Sequence, residues 1–104
     1  MRLKDKVIII TGGAAGIGEE YCYGLAREGA RIVVNDILPQ PEIDAVVNVI
    51  KEEGGSALGI RADITSERET EEMVNKTVEK WGRVDGLVNN ACFQKAKPFD
   101  EYTV

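Results

Sequence analysis

The chain alternates four short apolar segments with longer segments in which apolar residues recur every three or four positions. The short segments are residues 7–10, 32–34, 57–60 and 84–88, and the first of them is an unbroken run of β-branched residues. Unbroken apolar runs of this kind are typical of strands buried on both faces of a parallel sheet. The longer segments have the period of amphipathic helices. The order βαβαβαβ therefore predicts an α/β fold with parallel strands and right-handed crossovers.

Sequence signals at the ends support the three predicted helices. Pro41 suits the first turn of the second helix, and Ser66 with Glu69 forms a capping-box sequence before the third. The glycines expected to end the helices are Gly29, Gly54 and Gly82. The residues expected on the inward faces are Ile17, Tyr21, Leu25 and Ala26, then Ile43, Val46, Val47 and Ile50, then Met73, Thr77, Val78 and Trp81.

A polar residue follows each predicted strand. Thr11, Asp36, Asp63 and Asn89 occupy these positions, at intervals of 25, 27 and 26 residues. Each interval is one βα unit, so all four residues fall at the carboxyl ends of parallel strands. Open α/β sheets bind their ligands at that edge.

The amino-acid composition excludes several classes of function. The 104 residues, 43% of them hydrophobic, fit a single domain spanning 1–104. A net charge of −5 without a basic run disfavours nucleic acid as a partner. The absence of histidine excludes Ser-His-Asp triads and His-ligated zinc, and we expect no metal site. The two cysteines lie far apart and the sequence shows no leader pattern, so we expect a reduced, cytoplasmic protein. We expect no membrane span, because no apolar run approaches about 20 residues.

Glycines separate the first strand from the first helix. Gly12, Gly16 and Gly18 form a G-x-x-x-G-x-G pattern. Such a turn lets backbone N–H groups approach a pyrophosphate at the helix N-terminus, although a glycine triplet is also compatible with an ordinary tight turn. A P-loop is excluded because no lysine follows Gly16 or Gly18.

The acidic and amide residues at the strand ends each have two interpretations. Asp36 could accept two hydrogen bonds from an adenosine ribose, or it could cap the turn before Pro39. Asp63 could bind the adenine edge or cap the loop that leads to the third helix. Asn89 and Asn90 need hydrogen-bond partners after a buried strand, and they could brace the glycine turn.

Together these residues resemble the cofactor half of a short-chain dehydrogenase/reductase. The resemblance rests on residues 11–18 (TGGAAGIG), Asp36, Asp63 and the run Asn89-Asn90-Ala91, and it covers essentially the whole chain. It implies a Rossmann-type doubly wound sheet with strand order 3-2-1-4. The cofactor-binding residues that it implies are Thr11, Gly12, Gly16, Ile17, Gly18, Asp36, Asp63, Ile64, Asn89, Asn90 and Ala91.

The resemblance also implies activity and partners. Members of the family transfer a hydride between NAD(P) and an alcohol or carbonyl compound, and many form homo-oligomers. Asp36, with the uncharged Ala14 and Ala15 in place of a basic residue, indicates NAD rather than NADP.

The chain departs from the family pattern at two places near this site. Cys92 stands where the family has a glycine after Asn-Asn-Ala. Glu19 and Glu20 follow Gly18, where the family often has a basic or neutral residue, and carboxylates there oppose a bound pyrophosphate. We expect both carboxylates to point into solvent.

The family's catalytic residues have no counterpart in this sequence. Catalysis in the family depends on a serine and a Tyr-x-x-x-Lys pair, in which the tyrosine acts as general base. Tyr21, Tyr23 and Tyr102 are the tyrosines here, and none is followed by lysine four positions later. We therefore predict a dehydrogenase in the full-length protein and no catalysis by these 104 residues. The alternatives are a nucleotide-binding or interaction module without chemistry, and a structural domain whose glycine turn binds nothing.

Overall fold

A computed structural model describes residues 2–90 as a parallel four-stranded sheet in the order β3-β2-β1-β4. The strands are β1 (Val7–Thr11), β2 (Arg31–Asp36), β3 (Ser56–Arg61) and β4 (Gly86–Asn89). The connecting helices are α1 (Gly16–Arg27), α2 (Gln40–Glu52) and α3 (Glu67–Trp81). The predicted α/β class, Rossmann-type doubly wound topology and strand order 3-2-1-4 are confirmed.

Two apolar layers enclose the sheet. The layer under α1 and α2 contains Ile10 and Val34, whereas the layer under α3 contains Ile9 and Val33. Successive residues of β1 and β2 therefore point to opposite faces, and both faces are covered. This double burial explains why the strand sequences show no polar alternation.

The fourth strand begins two residues later than predicted. Residues 84 and 85 precede β4, which starts at Gly86. The carboxylate of Asp85 accepts a hydrogen bond from the Val7 N–H at 2.8 Å, and the Asp85 N–H donates to the Val7 carbonyl at 2.7 Å. Asp85 thus joins this segment to the start of β1 through its side chain as well as its backbone.

The inward face of α1 agrees with the prediction at Leu25 and Ala26, which pack against the core, and differs from it in the first half of the helix. Gly18 and Cys22 are buried, while Ile17 is 66% and Tyr21 46% exposed. One residue turns a helix by about 100°, so the inward stripe begins at Gly18 and leaves its two larger neighbours outside. In α3, Met73 and Thr77 are buried as predicted, but Val78 is exposed on the adjacent face.

Helix ends follow the sequence signals in part. Gly29 and Gly82 adopt positive φ angles of 97° and 80° after α1 and α3, which glycine allows without a steric penalty. The Ser66 hydroxyl accepts from the Glu69 N–H at 3.2 Å, as a capping box requires. A capping box also predicts that the Glu69 carboxylate accepts from the Ser66 N–H. That part of the prediction is wrong, because the Glu69 carboxylate accepts from the Asp63 N–H at 2.8 Å.

Candidate dinucleotide site

The glycine-rich segment, residues 12–18, turns sharply from β1 into α1. Gly12 and Gly16 adopt positive φ angles of 65° and 57°. At Gly18 a Cβ atom would lie 2.0 Å from the Gly12 carbonyl oxygen and 2.6 Å from Nδ2 of Asn90. Only glycine fits there, so α1 starts in direct contact with the backbone of the turn.

Asp36 holds the glycine-rich segment from the end of β2. Its Oδ2 accepts a hydrogen bond from the Ala14 N–H at 3.0 Å, while its Oδ1 accepts from the N–H groups of Ile37 and Leu38 at 2.8 and 3.3 Å. A carboxylate has about four acceptor positions, so three backbone donors leave about one. A second bond to a ribose would therefore displace one of these backbone partners.

Thr11, Asn89 and Asn90 form a polar cluster where β1 and β4 end. The Thr11 hydroxyl lies 3.2 Å from Oδ1 of Asn89 and accepts from the Asn90 N–H at 2.9 Å. The Asn90 side chain donates to the Gly12 carbonyl at 3.3 Å. The two asparagines thus brace β1 and the glycine-rich segment, although the strand expected to be buried before them, β4, is only partly buried and Leu87 is exposed.

An open cleft of about 390 Å³ lies between the glycine-rich segment and the β3–α3 loop, residues 62–66. Five of the predicted cofactor residues line it, namely Gly12, Asp36, Asp63, Ile64 and Asn90. Its volume falls within the range of small-molecule sites. Thr11 and Asn89 end their strands, and Gly16 and Ile17 lie in the first turn of α1. Those sequence-predicted residues that fall within residues 2–90 thus converge on one edge of the sheet.

Asp63 lies two residues beyond β3, so its predicted position directly after the strand is wrong. Its Oδ1 accepts from the Thr65 hydroxyl at 2.7 Å and the Thr65 N–H at 2.9 Å. These bonds, the hydroxyl first, lower the pKa of Asp63 below its ordinary value. Asp63 therefore caps the loop, and its exposed carboxylate also lines the cleft.

The carboxylates that follow Gly18 take different directions. Glu20 is exposed, as expected, but Glu19 is half-buried and accepts from the Tyr23 hydroxyl at 2.7 Å. Burial, followed by this hydrogen bond, raises the pKa of Tyr23 to about 12. Tyr23 lies one turn further along α1, so the hydrogen bond directs the Glu19 carboxylate toward the middle of the helix and away from the N-terminus of α1.

Cys22 packs beneath the glycine-rich segment. Its side chain is fully buried, and its Sγ lies 3.6 Å from the Gly13 carbonyl oxygen. Burial raises the pKa of the thiol to about 12, and the nearby Glu19 and Asp36 carboxylates add to this effect. Cys22 is thus an unreactive packing residue, as its place on a sheet-covering helix indicated.

Sequence reasoning missed Asn35, the residue before Asp36. Asn35 lines the cleft, is 1% exposed and donates through Nδ2 to the carbonyls of Ile60 and Ala62. The available signal was a polar residue that continues an otherwise apolar strand sequence. The predicted site residue Ala91, together with Cys92 and Tyr102, lies outside the described residues.

Neither a metal site nor a membrane span is found in the part of the chain that the structure describes. Residues 2–90 contain no group of three or more His, Cys, Asp or Glu side chains that could hold a metal ion. None of the helices within the same residues is long and apolar enough to cross a bilayer.

A parallel sheet with a glycine-rich strand-to-helix turn, and an acidic residue ending the neighbouring strand, defines a dinucleotide-binding type of α/β protein. The family model for short chain dehydrogenases matches residues 6–104, and the chain belongs to this family. The resemblance stated from the sequence is thereby confirmed.

Several relatives are similar over nearly all of this chain. The 7α-hydroxysteroid dehydrogenase of Escherichia coli K12 is 45% identical over 100 residues, which are 96% of this chain and 39% of that protein. A short-chain dehydrogenase/reductase homolog of Bacillus subtilis, YusS, is 36% identical over 97% of this chain and 93% of its own length. The chain thus spans about two fifths of the first relative and nearly all of the second.

Solved structures agree with the fold. A hydroxysteroid dehydrogenase from Escherichia coli superposes with a TM-score of 0.85 at 45% identity, covering 95% of this chain and 42% of that one. A 7α-hydroxysteroid dehydrogenase complexed with NADH and 7-oxo glycochenodeoxycholic acid gives a TM-score of 0.86 at 45% identity, covering 95% and 38%. The second structure associates this fold with a bound nicotinamide dinucleotide.

Proposed function

We propose that this chain supplies the NAD(H) site of an oxidoreductase that converts an alcohol into a carbonyl compound, or the reverse. The observation that supports the proposal most directly is the cleft between the glycine-rich segment and the β3–α3 loop, which Asp36 lines while it bonds the Ala14 N–H. The 45% identical neighbour that is complexed with NADH has the same fold. The substrate is proposed only as a class, an alcohol or carbonyl compound bound by the whole protein.

The residues of the cleft fit a dinucleotide. The missing side chain at Gly18 leaves the first turn of α1 close to the segment before it, and N–H groups of that turn would donate to a pyrophosphate. Asp36 would accept a ribose hydroxyl at its remaining acceptor position, while its charge would repel a 2′-phosphate. Asp63 and Ile64 would contact the adenine. The nicotinamide, when bound, supplies the hydride chemistry.

NAD preference is the part of this proposal that a direct measurement can test. We expect calorimetric titration to give tighter binding of NAD than of NADP. Asp36→Ala removes the charge-assisted hydrogen bond to the ribose, worth about 1.5 to 3 kcal/mol, so NAD should bind roughly ten- to a hundredfold more weakly. NADP should lose less, because the variant also removes a repulsive charge.

Asp44→Ala is the matched control. Asp44 lies on α2, is exposed and bonds Gln40 on its own helix, so its replacement makes the same change in net charge outside the cleft. Its affinity for NAD should equal that of the unmutated protein. Equal or tighter binding of NADP by the unmutated protein would refute the proposed preference.

The second candidate function is a nucleotide-binding module without catalysis. The Bacillus subtilis relative favours it, because this chain covers 93% of that protein. The sequence also contains no Tyr-x-x-x-Lys pair, so we propose that the 104 residues bind the cofactor without turnover. Alcohol-dependent production of NADH by this chain alone would exclude the second candidate.

We further propose that the protein forms a homo-oligomer and acts in the cytoplasm. Exposed apolar residues beside the β4 edge, Val84 and Leu87, support the oligomer, because apolar side chains at a sheet edge favour association. Sedimentation of the protein would measure its state of association.

A further inference from the structure

Asn35 connects the two walls of the cleft. Its Nδ2 donates to the carbonyl oxygens of Ile60 at 3.1 Å and Ala62 at 3.2 Å, on the side of the β3–α3 loop. The backbone carbonyl of Asn35 accepts from the Gly13 N–H at 2.8 Å, on the side of the glycine-rich segment. One residue thus bonds both walls at the end of the strand that lies between them.

These contacts exceed what packing requires. Asn35 follows the buried apolar residues Ile32, Val33 and Val34 and is itself 1% exposed. An apolar side chain would fill the position without the cost of burying a carboxamide. Ala62 lies beyond the end of β3, so the bond to its carbonyl fixes the first residue of the loop and not the strand itself.

The neighbouring residue extends the same connection. The Ala62 N–H donates to the Asp36 carbonyl at 3.1 Å. Ala62 is therefore held to the end of β2 through both its N–H and its C=O groups. Asp63 and Ile64, which line the cleft, follow directly after this anchored residue.

We propose that Asn35 is a positioning residue for the dinucleotide site. Its carboxamide holds Ala62, the first residue of the β3–α3 loop, against the end of β2, while the backbone of β2 bonds the glycine-rich segment; the carboxamide thereby sets the width of the cleft in which an adenosine would lie. Asn35 acts through Ala62 and Gly13 and does not itself need to touch the ligand. This role rests on the proposed binding of NAD(H).

The test compares Asn35→Leu with a matched control. Asn35→Leu keeps the branched shape of the side chain, with larger terminal groups, and removes both donated bonds. Thr77→Val is the control, because Thr77 is also fully buried and donates one bond, to the Met73 carbonyl at 2.8 Å within α3 and outside the cleft. Urea unfolding measures the stability of each variant, and calorimetry measures NAD binding where each is fully folded.

We expect both variants to lose stability and only Asn35→Leu to lose affinity for NAD, by about tenfold or more. Asn35→Ser keeps one donor, so its affinity should lie between those of Asn35→Leu and the unmutated protein. This variant also serves if Asn35→Leu does not fold. The proposal is overturned if the folded Asn35 variants bind NAD as the unmutated protein does, or if Thr77→Val weakens binding equally.

Hydrogen exchange separates this inference from the proposed function. If the unmutated protein binds no NAD, the proposed function fails. The Ala62 amide would still exchange faster in Asn35→Leu than in Thr77→Val if Asn35 anchors the loop. Equal exchange of that amide in the two variants would overturn the positioning role by itself.

Discussion

Gly18→Ala tests the close contact on which the geometry of the site depends. The added Cβ would lie 2.0 Å from the Gly12 carbonyl oxygen and 2.8 Å from the Gly12 carbonyl carbon. The first distance is well over an ångström short of the 3.4 Å at which ordinary van der Waals contact begins. Both atoms belong to the backbone, so no side-chain rotation relieves the overlap, and α1 and the glycine-rich segment must separate.

Gly24→Ala is the reference for the change in the free energy of unfolding that Gly18→Ala should cause. Gly24 lies on the same helix, is exposed and has nothing within 4 Å of an added Cβ. Alanine is favoured over glycine in a helix, so this variant should gain about 0.5 to 1 kcal/mol. Gly18→Ala has the same helical advantage, but overpacking should outweigh it and leave a loss of about 1 to 3 kcal/mol.

Urea unfolding followed by circular dichroism gives the free energy of unfolding for the three proteins, and calorimetry gives their affinity for NAD. We expect Gly18→Ala to bind NAD more weakly even where it is fully folded, because Asn90 and Gly12 must move. Gly24→Ala should bind as the unmutated protein does. Gly18→Ala with undiminished stability and unchanged NAD affinity would refute the structural reasoning.

Two further predictions concern protonation. Because the folded-state pKa of Cys22 is raised from 9.0 to about 12, its contribution to stability is complete below pH 9.0 and is lost as the pH rises toward 12. Each pH unit above 9.0 removes at most about 1.4 kcal/mol from the free energy of unfolding. In urea unfolding, this free energy should decline less steeply with pH in Cys22→Ala than in the unmutated protein. An identical decline would contradict the raised pKa of Cys22. Thr65→Val removes the hydroxyl that contributes most to the lowered pKa of Asp63, so NMR titration should find that pKa closer to its ordinary value of 3.8. An unchanged pKa in this variant would contradict the loop geometry.

Periodicity and spacing predicted the parallel sheet and the edge at which the polar residues converge, whereas the strand order was implied by the family resemblance. The first half of the inward stripe of α1 was predicted wrongly, because the rule for large apolar residues favoured Ile17 and Tyr21. Helix packing here depends on the smallest residue, Gly18, whose contact with Gly12 is not visible in an apolar pattern. The start of β4 was also predicted wrongly. The Asp85 side chain accepts the hydrogen bond from the Val7 N–H, and an apolar pattern does not show such a contact.

Hydrogen-bond networks were less predictable than topology. Ser66 and Glu69 have the spacing of a capping box, yet the Glu69 carboxylate bonds the Asp63 N–H, six residues earlier. Asn35 was overlooked because its two acceptors, Ile60 and Ala62, lie 25 and 27 residues away in sequence. A local sequence pattern identifies residues that could face a ligand. The residues that fix the walls of the cleft by hydrogen bonds cannot be identified in this way, because their partners lie on strands distant in sequence.

Asp36 shows why the structural and functional interpretations of a site residue need not be alternatives. Its two carboxylate oxygens accept from opposite sides, Ala14 on one and Ile37 with Leu38 on the other. An asparagine has one accepting oxygen, so its NH₂ group would face a backbone donor on one of these sides. The turn therefore requires a carboxylate whether or not a ribose is present. A replacement that removes the charge opposing a 2′-phosphate also removes the acceptor of the Ala14 N–H, so cofactor preference and loop geometry cannot be changed separately at this position.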